Sequence, residues 1–256
     1  MPRTVEPDWK MWLEKWDRQQ ESYLPSREQR FEAMFDVLEV SLGRRFTVVD
    51  LGCGPGSLSL RLLRRFPRAR SFGLDTDPVL MKIGREAVGT LHGRMHWIEA
   101  DLRHPDWRRR LPVRRVDAAV STTALHWLAP PQLRRMYREL FQLLPPRGLV
   151  LNGDYLPSDA EGPTIQHLFH RVARTRVKRR GPRPLWLDWV GWWRLLEREP
   201  SLAPLFQVRR KRFPRRHPRE THLSLEDHAK ALRRAGFGEI GVARQELNDR
   251  LLVAVK

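Results

Sequence analysis

One stretch constrains the fold more than any other: VVDLGCGPGSLSLRLLRRFP, Val48 to Pro67. An apolar strand runs into three glycines spaced two apart. A helix follows at once, with Leu58, Leu62, Leu63 and Phe66 on one face. Backbone N–H groups converge where such a turn opens a helix, so the junction is built to receive the polar groups of a ligand. A dinucleotide turn reads G-x-G-x-x-G. Here Gly52, Gly54 and Gly56 bring the third glycine one residue early, and Ser57 stands where that turn wants Gly or Ala. Asp50 puts a carboxylate beside the turn, which repels a pyrophosphate and suits a cationic ligand. Asp75 follows at roughly the distance at which an acid takes ribose hydroxyls.

The rest of the chain repeats this alternation. Strands are expected at 46–51, 71–75, 94–101, 114–121 and 149–155, and helices at 56–66, 77–89 and 130–148. Asp77 and Pro78 read as an N-cap and first-turn proline. Trp9, Trp12, Leu13 and Trp16, then Phe31, Met34, Phe35 and Leu38, mark one or two helices before the first strand, broken at Pro25. Strand–helix–strand units of this length imply a parallel, doubly wound α/β sheet. The rhythm lapses between 155 and 222, then resumes as a helix at 224–235 and two strands linked at Asn248 and Asp249. So short a link requires antiparallel pairing. The organisation expected is therefore N-terminal helices at 1–40, a sheet domain at 41–154 and 223–256, and a helical cap inserted at 155–222.

No run of eighteen apolar residues occurs and the N-terminus is charged and tryptophan-rich, which points to a soluble cytoplasmic protein. A single cysteine, Cys53, excludes an internal disulfide framework and a cysteine-based zinc cluster. It sits mid-turn as a small filler and not as a nucleophile. His92 and His96 are four apart, but Gly93 and a strand start intervene, so no metal pair is expected. The formal net charge of +18 permits an anionic partner without demonstrating one.

At these residues the chain resembles the class I S-adenosylmethionine-dependent methyltransferases. VVDLGCGPGS, GLDTDP, IEADLRHP and VDAAVSTTALHWL look like their first four motifs in order, and LLPPRGLVLNGDY like the passage into the fifth strand. The resemblance spans about 46–154 and 223–256. It implies a seven-stranded sheet in the order 3-2-1-4-5-7-6 with strand 7 antiparallel, and S-adenosyl-L-methionine as cofactor. The cofactor would be held by Asp50, Gly52, Cys53, Gly54, Asp75, Thr76, Asp101, Leu102 and Ser121, with Asp75 at the ribose and Asp101 and Leu102 at the adenine. The ALHWL wording is closest to the small-molecule branch that holds the trans-aconitate and biotin-precursor methyltransferases.

The reaction so implied is an in-line displacement, in which the enzyme aligns a nucleophile with an already activated methyl and excludes water. A base matters only where the nucleophile must lose a proton. His126, after the fourth strand, is the first candidate for it. Asp154, Tyr155 and His222 are weaker candidates, and Tyr155, Trp193 and His222 join His126 as candidates for contact with the acceptor. Trp186, Trp189, Trp192 and Trp193 recur at helical spacing in the insert, suited to a cap core and to a lid. The acid-free stretches RVARTRVKRRGPR and VRRKRFPRRHPR suit solvated surface or phosphate binding. The expected acceptor is thus a small molecule. The alternative is tRNA or rRNA, against which strand 4 lacks the Asn/Asp-Pro-Pro-aromatic turn of exocyclic-amine methylation. A methyltransferase-like protein without chemistry is the third reading, and the intact Asp50, Gly52, Gly54, Asp75 and Asp101 argue against it.

Overall fold

A computed structural model describes residues 7–179, 188–213 and 223–256. Helix α1 (Trp9–Tyr23) and α2 (Arg27–Leu42) precede β1 (Thr47–Leu51). Then come α3 (Ser57–Arg65), β2 (Arg70–Asp75), α4 (Pro78–Val88), β3 (Met95–Glu99), β4 (Ala118–Thr122), α5 (Pro130–Leu143) and β5 (Leu149–Tyr155). Helices α6 (Pro163–Arg179), α7 (Trp189–Leu196) and α8 (Ala203–Arg212) follow, then α9 (Leu225–Ala235), β6 (Glu239–Glu246) and β7 (Asp249–Val255).

The seven strands form one sheet in the order β3-β2-β1-β4-β5-β7-β6. The first five run parallel, and β7 is antiparallel to both β5 and β6. The central strands are buried on both faces because helices cover both sides, as the apolar run at Val48 and Val49 requires. One face packs against α5 and α9 through Met136, Leu140, Leu143 and Leu232, the other against α2 and α3 through Phe31, Met34, Leu58 and Phe66.

Two boundaries differ from the sequence expectation by more than two residues. Helix α5 ends at Leu143, not near 148, because Pro145 and Pro146 lack N–H donors and force Leu144 into extended backbone (φ −83°, ψ 143°). Strand β4 begins at Ala118, not 114. Arg114 and Arg115 are exposed, and Asp117 instead accepts the Thr47 N–H at 2.7 Å.

The segment between β5 and α9 divides in two. Helix α6 buries no residue and pairs with the sheet edge through Arg176 and Glu246. Helices α7 and α8 close a third apolar cluster with α1 and α4, in which Trp12, Trp16, Val79, Ile83, Trp192 and Phe206 are buried. Trp16 meets Trp192 at 5.0 Å between ring centroids and Trp189 at 6.0 Å. Among the described residues no helix is long and apolar enough to cross a membrane.

Candidate active site

The glycine turn lies at the carboxyl edge of β1, the face on which open α/β sheets bind ligands. Gly52 and Cys53 donate to the Leu74 carbonyl at 2.8 and 2.9 Å, which ties the turn to β2. Gly52 has φ +69°, and a Cβ there would fall 2.4 Å from the Ala124 Cβ, so the segment after β4 lies against the turn. The early third glycine has a local cause. Gly56 is the left-handed N-cap of α3 (φ +81°), and a Cβ on it would meet the Trp97 ring at 2.5 Å. That ring is wedged between the turn and α4, with its N–H on the Gly89 carbonyl at 2.8 Å. Trp16 of α1 roofs the turn, since a Cβ at Gly54 would lie 3.7 Å from its ring.

Four acids lie at or just beyond the carboxyl ends of β1, β2 and β3. Asp50 is buried, and its Oδ2 accepts the Ser59 hydroxyl at 2.6 Å while its Oδ1 has no partner. Burial, helped by the nearby Asp75 carboxylate, pushes it up to about 7. Asp75 ends β2 and accepts the Gly54 N–H at 2.7 Å and the Asp77 N–H at 2.8 Å. Burial lifts it to about 6. Asp77 caps α4 through the Val79 and Leu80 N–H groups. Asp101 follows β3, and the Arg103 guanidinium grips both of its oxygens. Burial opposes ionisation there, but Arg103 outweighs it and holds the carboxyl below the usual range. Leu102 packs against the α5-side core, and Ser121 donates to the Leu51 carbonyl at 2.8 Å, locking the ends of β1 and β4 together. Cys53 is buried, with its thiol pushed up by burial and by Asp50, which fits filler and not a nucleophile.

Beside the turn, His126 meets Asp154. Its Nδ1 lies 2.9 Å from Oδ1, and its backbone N–H donates to Oδ2 at 3.3 Å. Burial works against the Asp154 charge, but His126 and Arg30 outweigh it and hold the carboxyl below its ordinary range. Arg30 of α2 runs fully buried beneath β4 and β5, donating to the Thr122 hydroxyl at 3.0 Å and the Gly153 carbonyl and meeting Asp249 at 2.5 Å. On the other side His228 hydrogen-bonds the Tyr137 hydroxyl at 2.7 Å, and burial presses His228 down to about 4. Asp154 was a weaker candidate in the sequence, and Arg30 and His228 carried no signal there.

The remaining candidates scatter. Tyr155 bonds His170 at 2.9 Å and Asn248 at 3.0 Å, on the β7 side of Asp154. Trp193 is buried in the third apolar cluster, its face covered by the Arg209 guanidinium at 3.4 Å. Thr76 offers its carbonyl to Arg212 at 2.7 Å. Trp186 and His222 lie outside the described residues. Of the basic stretch at 208–219, the described arginines are not all solvated: Arg209 pairs with Asp77 at 2.6 Å and Arg212 with Glu99 at 2.5 Å.

Residues 48–148 match the methyltransferase domain family. The chain carries a class I methyltransferase domain. The chain is 35% identical over 136 residues to a trans-aconitate 2-methyltransferase of Azoarcus sp. (strain BH72), covering 53% of this chain and 49% of that protein. It is 34% identical over 103 residues to a trans-aconitate 2-methyltransferase of Escherichia coli (strain K12 / DH10B), covering 40% and 36%. The chain thus spans about half the length, or less, of these curated relatives. The human N-acetylserotonin methyltransferase in complex with SAM shares the fold, with TM-score 0.56 and 14% identity over 94% of this chain and 56% of that one. The residues of the methyltransferase domain fit a cationic nucleoside ligand: a partnerless buried carboxylate oxygen at Asp50 calls for a donor or cation, and Asp75 stands one strand away.

Proposed function

We propose that this chain is an S-adenosylmethionine-dependent methyltransferase for a small-molecule acceptor, working beneath a lid formed by α1, α7 and α8. The observation that carries this reading is Asp50, a buried carboxylate with one partnerless oxygen beside a glycine turn. No pyrophosphate would be held there, whereas an α-ammonium group would supply the missing donors and charge.

The cofactor contributes a sulfonium-activated methyl. Asp50 would hold its ammonium, Asp75 its ribose hydroxyls, and Asp101 with Leu102 its adenine. The N–H groups of Gly54 and Asp77 already aim the Asp75 oxygens. Asp154 accepting from Nδ1–H fixes the His126 tautomer and leaves Nε2 the basic atom. His126 then takes a proton from a neutral acceptor. When protonated, the same ring binds an acceptor carboxylate, as a tricarboxylate acceptor like that named for the relatives would require. Trp16, backed by Trp192, would wall the turn from water. The RNA alternative loses support because Arg209 and Arg212 are committed to acids and to a backbone carbonyl of this chain.

Incubation with methyl-labelled cofactor, a panel of small carboxylic acids and bulk tRNA tests this. A labelled small product, reduced at least tenfold in Asp154→Asn, is the expected result. Label appearing only in tRNA refutes the acceptor class, and absence of S-adenosylhomocysteine binding by calorimetry refutes the cofactor.

A further inference from the structure

The end of the sheet opposite the turn carries a cleft of about 580 Å³, lined by Arg45, Phe46, Thr47, Arg68, Arg70, Arg94 and Asp117. We infer that it binds a ligand made of linked phosphates, at a site separate from the methyl-transfer centre.

Sequence and topology assemble the cleft. Arg70 opens β2 and pairs in register with Thr47, which opens β1. Arg94 immediately precedes β3, and Asp117 immediately precedes β4. In the order β3-β2-β1-β4 these amino-terminal ends stand side by side. They form a row about 14 Å long at the usual strand spacing, enough for several phosphates in sequence. Phe46, buried, supplies the floor.

The charges in this cleft are unbalanced. Four guanidinium groups face one carboxylate, and Asp117 is already occupied by the Thr47 N–H at 2.7 Å. The buried and part-buried arginines Arg27, Arg30, Arg61 and Arg209 each meet an acid, Arg27 and Arg61 at Asp17, Arg30 at Asp249 and Arg209 at Asp77, whereas half-buried Arg94 meets none. Among the described residues no carboxylate lies within 4 Å of Arg45, Arg68, Arg70 or Arg94. Arg94 is moreover held in place, with one nitrogen on the Leu63 carbonyl at 2.8 Å and its other donors left over. Arg45, Arg68 and Arg70 are exposed and Arg94 is half-buried, so water screens part of their mutual repulsion, and an anion entering the concavity would relieve the rest. Guanidinium forks match phosphate oxygens in geometry and in charge. A single carboxylate or sulfate would leave most of the row unsatisfied, so the ligand is polyanionic and extended.

Two sources share this chemistry, a free polyphosphate or nucleoside polyphosphate and the backbone of single-stranded RNA. Titrations of the full chain with inorganic tripolyphosphate, ATP and a fluorescent RNA 12-mer at near-physiological salt distinguish them. At least one should bind saturably. Arg68→Glu with Arg70→Glu should weaken that ligand at least tenfold and lower the salt slope of log K by about two. Arg233→Glu with Arg234→Glu on α9, an equal charge change at exposed positions, should change it less than threefold. Arg45→Gln with Arg68→Gln, checked for an unchanged Tm, repeats the test without introducing acids. Binding of S-adenosylhomocysteine should be unaffected in all of them. Equal losses in the cleft and α9 variants, or no saturable binding by any of the three probes, would overturn the site.

Discussion

Replacing Asp50 by Asn should stabilise the protein while disabling it, with both effects depending on pH. Burial and the neighbouring Asp75 carry the Asp50 carboxyl from 3.8 to about 7. At about 1.4 kcal/mol for each pH unit, that corresponds to about 4 kcal/mol between the two ionisation states. The sign follows from linkage. A carboxyl whose folded value exceeds its unfolded one binds its proton more tightly in the native state. The stability it contributes is complete below about pH 4 and is lost as pH rises towards 7. Asn cannot ionise, so the loss disappears and the Tm advantage of the variant should widen from pH 5 to pH 8. Part of the gain is offset because Asn accepts the Ser59 hydroxyl less strongly than a carboxylate does. For the cofactor the sign reverses. A bound ammonium favours ionised Asp50, so wild-type affinity should tighten as pH rises from 5.5 to 7.5. In Asp50→Asn an ammonium would be buried without its counter-charge, at a cost of about 2–4 kcal/mol, or about 30-fold or more in Kd. Melting curves at several pH values and calorimetry with S-adenosylhomocysteine read both effects. Unchanged affinity in the variant, or a lower Tm than wild type at pH 8, would show that Asp50 is structural and that the turn does not receive a cation.

Three further outcomes follow from the geometry. Gly52→Ala combines a left-handed backbone with a Cβ 2.4 Å from Ala124. It should cost about 2 kcal/mol or more, seen as a Tm lowered by roughly 4–8 °C, and should displace the segment leading to His126, so kcat falls with it. Arg209→Ala leaves the buried Asp77 without its cation. Hydrogen exchange should rise in α1, α7 and α8 before it rises in the sheet, and Arg209→Lys should restore most of the protection. His228 is pressed from 6.5 to about 4, so its contribution is intact above about pH 6.5 and is lost as pH falls towards 4, by about 3 kcal/mol in full. Melts of His228→Gln against wild type should therefore converge as the solution is acidified. A constant difference would assign the loss to other groups.

The sheet was legible because its signals are local. Alternation of strand and helix patterns, a short polar link before the last strand and the Asp77-Pro78 cap each lie within a few residues, and each appears where expected. Where local reading failed, a neighbour distant in sequence decided the outcome. β4 starts four residues late: Arg114 and Arg115 are exposed, and Asp117 binds Thr47, 70 residues away, through its side chain as well as its backbone. His126 is legible as a candidate and Asp154 as a weaker one, but not that the two meet, because Asp154 reaches His126 only through the pairing of β4 with β5. Arg30 reads as one more surface arginine on a helix, yet lies fully buried under those same strands.

The excess positive charge shows the same limit in another form. From composition the arginines are one class, and +18 invites a single explanation. The fold sorts them into at least three. Arg27, Arg30 and Arg61 are structural cations that clamp α1 and α2 to the sheet and α3 through Asp17 and Asp249. Arg209 and Arg212 fasten α8 over the acidic rim at Thr76, Asp77 and Glu99, turning a basic segment into part of the roof above the proposed cofactor site. Arg45, Arg68, Arg70 and Arg94 are left facing a cleft with one occupied acid. Each class answers differently to salt: buried pairs resist screening, whereas an open row of guanidinium groups loses its attraction within a Debye length of about 8 Å at physiological ionic strength. The salt dependence of Tm and that of polyanion binding should accordingly be separable in one protein, the first shallow and sensitive to Arg30, the second steep and sensitive to Arg68 and Arg70.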